Sequence, residues 1–283
     1  MDAMSVAPDL VPDARPFLKW AGGKSRLIPR YAPFLPPRET IHRYIEPFIG
    51  SAALFFHLQP PRARLSDCNH TLIEVYEVVR DDVEGLIAAL RPHKNDRDYY
   101  YHVRAQDPRE LSKAERAARI IFMNKTCYNG LYRENQMGEF NVPFGRYKRP
   151  RICDEQRLRA ASRALQGVEL RTADFADAVA DAGEGDFVYF DPPYVPLNAT
   201  SSFTSYSRFG FDDFDHRRLA DTVFELTTRG CRVMLSNSSA PLVHELYAHN
   251  GYAIHPIEAR RNINSRADGR GPVTELLILN YDG

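Results

Sequence analysis

Four consecutive residues, Asp191-Pro192-Pro193-Tyr194, carry the clearest chemistry in the chain. They follow Asp186-Phe187-Val188-Tyr189-Phe190, which reads as a short buried β-strand. The prolines fix φ and offer no N–H, so the Asp191 carboxylate and nearby carbonyls accept hydrogen bonds without competing local donors. Such a surface suits a planar amine, with acceptors for the NH₂ group and the Tyr194 ring over the flat face. An enzyme that methylates an exocyclic amine of a base needs this arrangement. Alone, the four residues allow adenine, cytosine or an amide.

The elements that must position them alternate strand and helix, the pattern of an α/β sheet. Strands are expected at 43–46, 63–66, 168–171, 187–190 and 232–235, the last ending at Ser236-Asn237. Segments 252–258 and 275–280 read as a terminal antiparallel pair. Helices are expected at 215–228 and 241–250. Glu46, Asp67, Asp174 and Asp191 all fall at strand ends. Ligands of open α/β sheets bind outside the carboxyl ends of the strands, so four carboxylates there form a polar pocket. Each alone could equally cap a following helix.

Residues 69–153 break the rhythm. Helices are expected at 71–79, 82–90 and 114–125, the last with a Ser112/Glu115 capping box. Then 126–147, rich in Asn, Gly and aromatics, reads as a loop or ribbon. The expected organisation is a tail at 1–15, a catalytic domain from 16–68 and 154–283, and a helical insert at 69–153 carrying a β-hairpin.

Composition narrows the class. The chain has 283 residues, 43% apolar, enough for a large core, and balanced charge with 37 basic and 37 acidic residues. No apolar run is long enough to span a membrane, and residues 1–15 lack the apolar stretch of a secretory signal. Cys68, Cys127, Cys153 and Cys231 are scattered without metal-ligand spacing, so no metal and no disulfide is expected. Local charge is uneven: Arg146, Lys148, Arg149 and Arg151 crowd one stretch, and Arg260, Arg261, Arg266 and Arg270 another.

Three further motifs matter. In Phe17-Leu18-Lys19-Trp20-Ala21-Gly22-Gly23-Lys24 the paired glycines permit close backbone approach. Gly23-Lys24-Ser25 resembles a phosphate loop, but Leu18 stands where its first glycine belongs, which excludes that reading. In Glu46-Pro47-Phe48-Ile49-Gly50-Ser51-Ala52, Gly50 lets a strand turn into a helix whose N-terminus faces the ligand. Asp67 is placed to accept from ribose hydroxyls. The third motif, Tyr128-Asn129-Gly130-Leu131-Tyr132-Arg133 with 138–148, mixes aromatics, amides and an arginine, the residue type that most often reads guanine. An ordinary β-hairpin would look similar.

Together these strings resemble a Dam-type DNA adenine-N6 methyltransferase of the D12 class: F-L-K-W-A-G-G-K at 17–24, E-P-F-I-G-S at 46–51, S-D-C-N at 66–69, A-D-F at 173–175 and D-P-P-Y at 191–194. The likeness runs from about Phe17 to Asn280. One departure is Ala52, where that family more often has a second glycine. The resemblance implies a Rossmann-like methyltransferase fold with a mixed, mostly parallel sheet. It also implies S-adenosylmethionine as cofactor, becoming S-adenosylhomocysteine. Trp20, Ala21, Gly22, Gly23 and Lys24 would border it, and Glu46, Pro47, Phe48, Gly50 and Ser51 would lie beneath its methionine part. Asp67 would take the ribose, and Asp174 and Phe175 the cofactor's adenine. Asp191, Pro192, Pro193 and Tyr194 would be catalytic.

The hairpin strings match the recognition hairpin of enzymes that modify GATC. By that likeness Arg133 reads guanine and Leu131 and Pro143 meet thymine methyls. Tyr128 and Asn129 would contact the opened pair or nearby phosphates, Arg146 and Lys148 would anchor the backbone, and Asn141 and Tyr147 would also belong to the DNA-binding surface. The loop 198–211 and the segment with Arg260, Arg261, Asn264 and Ser265 are further DNA-facing candidates. The resemblance implies double-stranded DNA as the partner, met by a monomer in the cytoplasm with the nucleoid. Cytosine-C5 chemistry needs a cysteine nucleophile, usually in a Pro-Cys pair, and none occurs. Cytosine-N4 chemistry is close, but that family more often has serine in place of Asp191.

Overall fold

The computed structural model describes residues 10–197, 210–248, 250–260 and 272–282. Seven strands form one sheet: β1 Tyr44–Glu46, β2 Ala63–Asp67, β3 Glu169–Thr172, β4 Phe187–Phe190, β5 Arg232–Ser238, β6 Ala253–Arg260 and β7 Pro272–Leu279. Their spatial order is β3-β2-β1-β4-β5-β7-β6. The first five run parallel, and β7 lies antiparallel between β5 and β6. Strand order reverses between β1 and β4, which opens a crevice at their carboxyl ends.

Side-chain alternation assigns the strands to two cores. In β4, Phe187 and Tyr189 join the larger core, while Val188 and Phe190 join the second. A strand buried on both faces needs the continuous apolar run that made β4 legible. The second core is covered by α9 Asp213–Thr228 and α10 Pro241–Tyr247.

The expected insert contains α3 His70–Asp81, α4 Val83–Leu90, α5 Arg97–Ala105 and α6 Lys113–Thr126. The Ser112/Glu115 capping box is present. Its apolar residues, including Tyr100, Phe122, Cys127 and Val142, belong to the same core as Phe17, Tyr44 and Tyr189 of the catalytic part. Helix α3 packs on both sides, against α6 and against β3 and α7, Glu155–Ala164. The insert is therefore built onto the sheet without a core of its own. Within the expected tail, Val11 exchanges two hydrogen bonds with Gln59, and Ala14 packs on the core.

Several elements differ from expectation. Helix α5 carries Tyr99-Tyr100-Tyr101, an aromatic run of low helix propensity; the Asp96 cap and the buried Tyr100 and Val103 stabilise it. Strand β5 continues through Ser236-Asn237-Ser238 because β7 supplies partners, with Ser238 opposite Glu275. Helix α2, Ala53–Leu58, begins after Ala52, which lies in the left-handed region. No helix among the described residues is long and apolar enough to cross a membrane.

Candidate active site

Polar groups line the carboxyl edge of the sheet in strand order: Asp174 after β3, Asp67 on β2, Glu46 on β1, Asp191 after β4 and Ser236 on β5. Glu46 and Asp191 flank the crevice between β1 and β4.

Asp191 is the most firmly held. Its Oδ1 meets Lys24 Nζ at 2.7 Å and accepts from Ser236 Oγ at 2.7 Å. Lys24, which the resemblance sets beside the cofactor, is buried at 5% exposure, and its ammonium also donates to the Gly22 carbonyl at 2.8 Å. The same ammonium lies 4.7 Å from the Tyr194 ring centre. Tyr194 Oη donates to Glu275 Oε2 at 2.8 Å, and Tyr31 Oη reaches that oxygen at 3.5 Å. Pro192 is buried and Pro193 exposed.

Glu46, 3% exposed, accepts from Tyr44 Oη at 2.9 Å. Burial holds its carboxyl well above the usual carboxylate range, opposed by the Tyr44 hydrogen bond. Burial also raises Tyr31, Tyr44, Tyr189 and Tyr194, so these phenols stay neutral donors. Burial raises Glu275 as well. Lys24 thus faces Asp191, Glu46 and Glu275, of which Asp191 is its close partner.

Just before Lys24, residues 20–23 make a tight turn, Gly23 N–H donating to the Trp20 carbonyl at 3.0 Å with Gly22 at φ +80°. Ala21, Gly22 and Gly23 are exposed. Trp20 stacks on Tyr132 with ring centres 5.3 Å apart. A Cβ on Gly50 would lie 3.0 Å from Trp20 Cδ1, so Gly50 lets the indole rest on the β1 turn. Pro47 and Ser51 are buried and Phe48 is half-buried.

Asp67 Oδ1 accepts from Asn69 N–H at 3.0 Å, and surrounding protein pushes its carboxyl up to about 6. Its side chain does not cap α3; Asn69 does. Asp174 does cap its helix, Phe175–Ala178, and both its oxygens engage Arg218 of α9 at 2.7 and 2.8 Å. That pair holds Asp174 below the usual carboxylate range. Its oxygens are therefore not free, as the resemblance would have them: Oδ1 accepts from both Arg218 and the Ala176 N–H at 3.0 Å, and only Oδ2 keeps a further acceptor direction. Phe175 is 4% exposed, with the Arg218 guanidinium 4.1 Å from its ring centre and Phe48 stacked at 5.7 Å.

The 128–148 segment is a hairpin pinned by two isolated antiparallel bridges, Cys127 with Phe144 and Glu134 with Phe140. Arg133 is exposed; its Nε donates to Asn141 Oδ1 at 2.6 Å and its Nη2 to the Asn141 carbonyl at 3.3 Å. Asn141 therefore orients the arginine. Tyr128, Asn129, Pro143, Arg146 and Lys148 are exposed, while Leu131, Asn141 and Tyr147 are half-buried. Tyr147 carries the Lys19 ammonium 3.6 Å from its ring centre. Asn124 fixes the hairpin base: Lys19 N–H donates to its Oδ1 at 2.8 Å, and its Nδ2 donates to the Lys19 and Gly130 carbonyls at 2.5 and 3.1 Å. A Cβ on Gly130 would lie 2.7 Å from Lys19 Cβ, which explains glycine there.

Residues 198–209 and 261–271 lie outside the described residues, as does the Arg260 side chain, so most of both further DNA-facing candidates falls there. Among the described residues no cluster could hold a metal ion, and all four cysteines are free. Ser236, Glu275, Tyr31 and Arg218 were not singled out from the sequence. Polar residues just past a buried strand were the only signal for Ser236.

A mostly parallel seven-stranded sheet flanked by helices, with an antiparallel β7 beside β5, is the architecture of the Rossmann-like methyltransferase class. The family model for D12 class N6 adenine-specific DNA methyltransferases matches residues 20–263. Type II methyltransferase M1.LlaDCHI of Lactococcus lactis subsp. cremoris is 44% identical, covering 94% of this chain and 95% of its own. Type II methyltransferase M.MjaIII of Methanocaldococcus jannaschii is 42% identical, with 95% and 100% covered. The DNA adenine methylase of Escherichia coli K12 is 36% identical, with 95% and 96% covered. The chain belongs to the D12 class of N6 adenine-specific DNA methyltransferases, and its substrate is DNA.

Proposed function

We propose that this enzyme takes its methyl group from S-adenosylmethionine and delivers it to an adenine turned out of duplex GATC, with Asp191 and Tyr194 at the reaction centre. The observation that carries this is the mounting of Asp191. One carboxylate oxygen is fixed by Lys24 and Ser236, each at 2.7 Å, beside a tyrosine ring anchored at its hydroxyl.

The cofactor site fits on its own terms. Gly22, Gly23 and Gly50 keep the walls low, Trp20 supplies a flat surface, and Asp67 offers acceptors to vicinal hydroxyls. Phe175 and Asp174 would border the cofactor's adenine, with Asp174 already shared with Arg218. S-adenosylmethionine, when bound, supplies an electrophilic sulfonium methyl group, so no metal is needed to activate the donor.

The adenine amine is a poor nucleophile because its lone pair is delocalised into the ring. Asp191 and the Pro192 carbonyl accept from N6 and favour a more tetrahedral nitrogen. Tyr194 stacks on the base and holds it in line, and such positioning is worth up to roughly 7–11 kcal/mol. N6 lies inside the duplex, so the base leaves the stack first at a cost of a few kcal/mol. Residues 69–153 act as the target-recognition part, with Arg133 reading guanine, Leu131 and Pro143 facing thymine methyls, and Arg146 and Lys148 on phosphates. The enzyme works as a monomer on DNA in the cytoplasm.

The test is transfer of labelled methyl from S-adenosylmethionine to duplex oligonucleotides containing GATC or GTAC. Transfer to GATC alone is expected, and equal transfer to both would refute the specificity.

A further inference from the structure

A loop with two prolines cannot anchor itself through their backbone N–H groups. Its anchors come from β5 and β7. Ser236 Oγ donates to Asp191 Oδ1 at 2.7 Å. Beyond Tyr194, Val195 N–H donates to Asn237 Oδ1 at 3.1 Å, and Ser238 Oγ donates to the Val195 carbonyl at 2.6 Å. Asn237 Oδ1 also accepts from Ser238 N–H at 2.8 Å, which fixes its own rotamer. Glu275, opposite Ser238 in the register, takes the Tyr194 hydroxyl at 2.8 Å.

Strand alternation puts Ser236, Ser238 and Glu275 on one face and Asn237 on the other, so the loop is gripped from both sides of the sheet's end. Ser236, Asn237 and Ser238 are 0%, 1% and 5% exposed. Buried polar groups cost stability unless bonded, and these spend bonds on the one loop that carries Asp191 and Tyr194.

We propose that Ser236, Asn237, Ser238 and Glu275 are positioning residues for methyl transfer: they set the distance and direction of the Asp191 carboxylate and the Tyr194 ring. The proposal rests on the reading of that loop as the reaction centre. Misplacing a reacting group by an ångström can cost on the order of 100-fold in rate.

The experiment measures single-turnover methyl transfer, cofactor and DNA dissociation constants, melting temperature, and fluorescence of 2-aminopurine at the target adenine. Glu275→Ala and Asn237→Ala are each expected to slow transfer on the order of 10-fold with both dissociation constants unchanged. Glu275→Ala should also alter the 2-aminopurine signal by loosening the stacked tyrosine. Glu275→Gln keeps an acceptor oxygen and should restore most of the rate. In a Tyr194→Phe background, which lacks the hydroxyl, Glu275→Ala should add nothing. Ser236→Ala, the removal of one oxygen, serves if a larger truncation fails to fold.

Transfer within about two-fold of the parent rate in these variants overturns the proposal. So does a Glu275→Gln enzyme as slow as Glu275→Ala. Asp191→Ala run alongside separates the readings. Full activity there refutes the loop as reaction centre, whereas its loss beside unimpaired Glu275→Ala and Asn237→Ala refutes only the positioning.

Discussion

The loop after β4 and the hairpin after α6 both carry candidate functional residues, and they are held in opposite ways. The loop is braced from β5, β7 and the Lys24 turn, and its anchoring side chains are largely buried. The hairpin is held at its base by Asn124 and by the Trp20–Tyr132 stack, and farther out only by bonds within itself, among the described residues, such as those of Asn135 with Met137 and Glu139. At its tip Met137 is 75% exposed, and among the described residues Arg133 is tethered only to Asn141 of its own hairpin. Chemistry requires groups fixed before the substrate arrives, because reorganising them at the moment of reaction raises the barrier. Reading requires groups that trade water for base edges and phosphates on contact. Trp20 and Lys19 join the two regimes, since each lies in the 17–24 motif and contacts the hairpin segment.

The comparison breaks first at Asp191. Asp191→Ala should lower kcat about 10²–10⁴-fold, the usual range for a positioned group acting on a transferred proton or charge. DNA affinity, measured by anisotropy, should stay within a few-fold. A variant that turns over normally but binds DNA poorly would put Asp191 on the reading side. Arg133→Ala should do the reverse. Discrimination at the guanine position should fall by about 1–3 kcal/mol, read as ratios of kcat/KM over single-base substitutions. Uniform loss across all sequences would instead make Arg133 a phosphate contact.

Legibility divides along the same line. The strand pattern and the four carboxylates at strand ends were readable because buried parallel strands are short apolar runs and their ends are polar. Contacts between distant segments were not readable. Nothing local says that Lys24 reaches Asp191, that Arg218 of α9 occupies Asp174, or that Glu275 takes the Tyr194 hydroxyl. Ser236-Asn237-Ser238 looks like a polar strand terminus until β7 is laid beside it. Helix α5 was hidden because its three tyrosines disfavour helix locally while tertiary burial overrides the preference. In the hairpin, residue types suggested readers, but only the fold shows Asn141 spending its side chain on Arg133.

A smaller effect tests the cofactor side. The Asp67 carboxyl sits near 6, raised by burial above its unfolded value. As an ionised acceptor it binds hydroxyl donors best above that pH, so cofactor affinity should weaken as pH falls from 7 to 5. On stability the sign is opposite: the raised value favours the fold at low pH, and that contribution is lost as pH rises through about 6. Calorimetric cofactor titration across this window should show the slope, and Asp67→Asn should flatten it. An unchanged slope in that variant would move the titration to another group.

The smallest effect concerns Ala52, at φ 51° and ψ 35° before α2. A left-handed alanine costs about 1–2 kcal/mol. Glycine would relieve that but adds roughly 0.5–1 kcal/mol of unfolded-chain entropy. It also forfeits a buried methyl worth about 0.8 kcal/mol. The terms nearly cancel, so Ala52→Gly should shift unfolding free energy by less than about 1 kcal/mol in denaturant titration. The methyl is 0% exposed and packs in the larger core. Cofactor affinity should therefore be unchanged within a few-fold, despite the departure from glycine. Tenfold tighter binding in Ala52→Gly would show that the methyl narrows the cofactor site, and the braced half of the comparison would then carry strain at a functional cost.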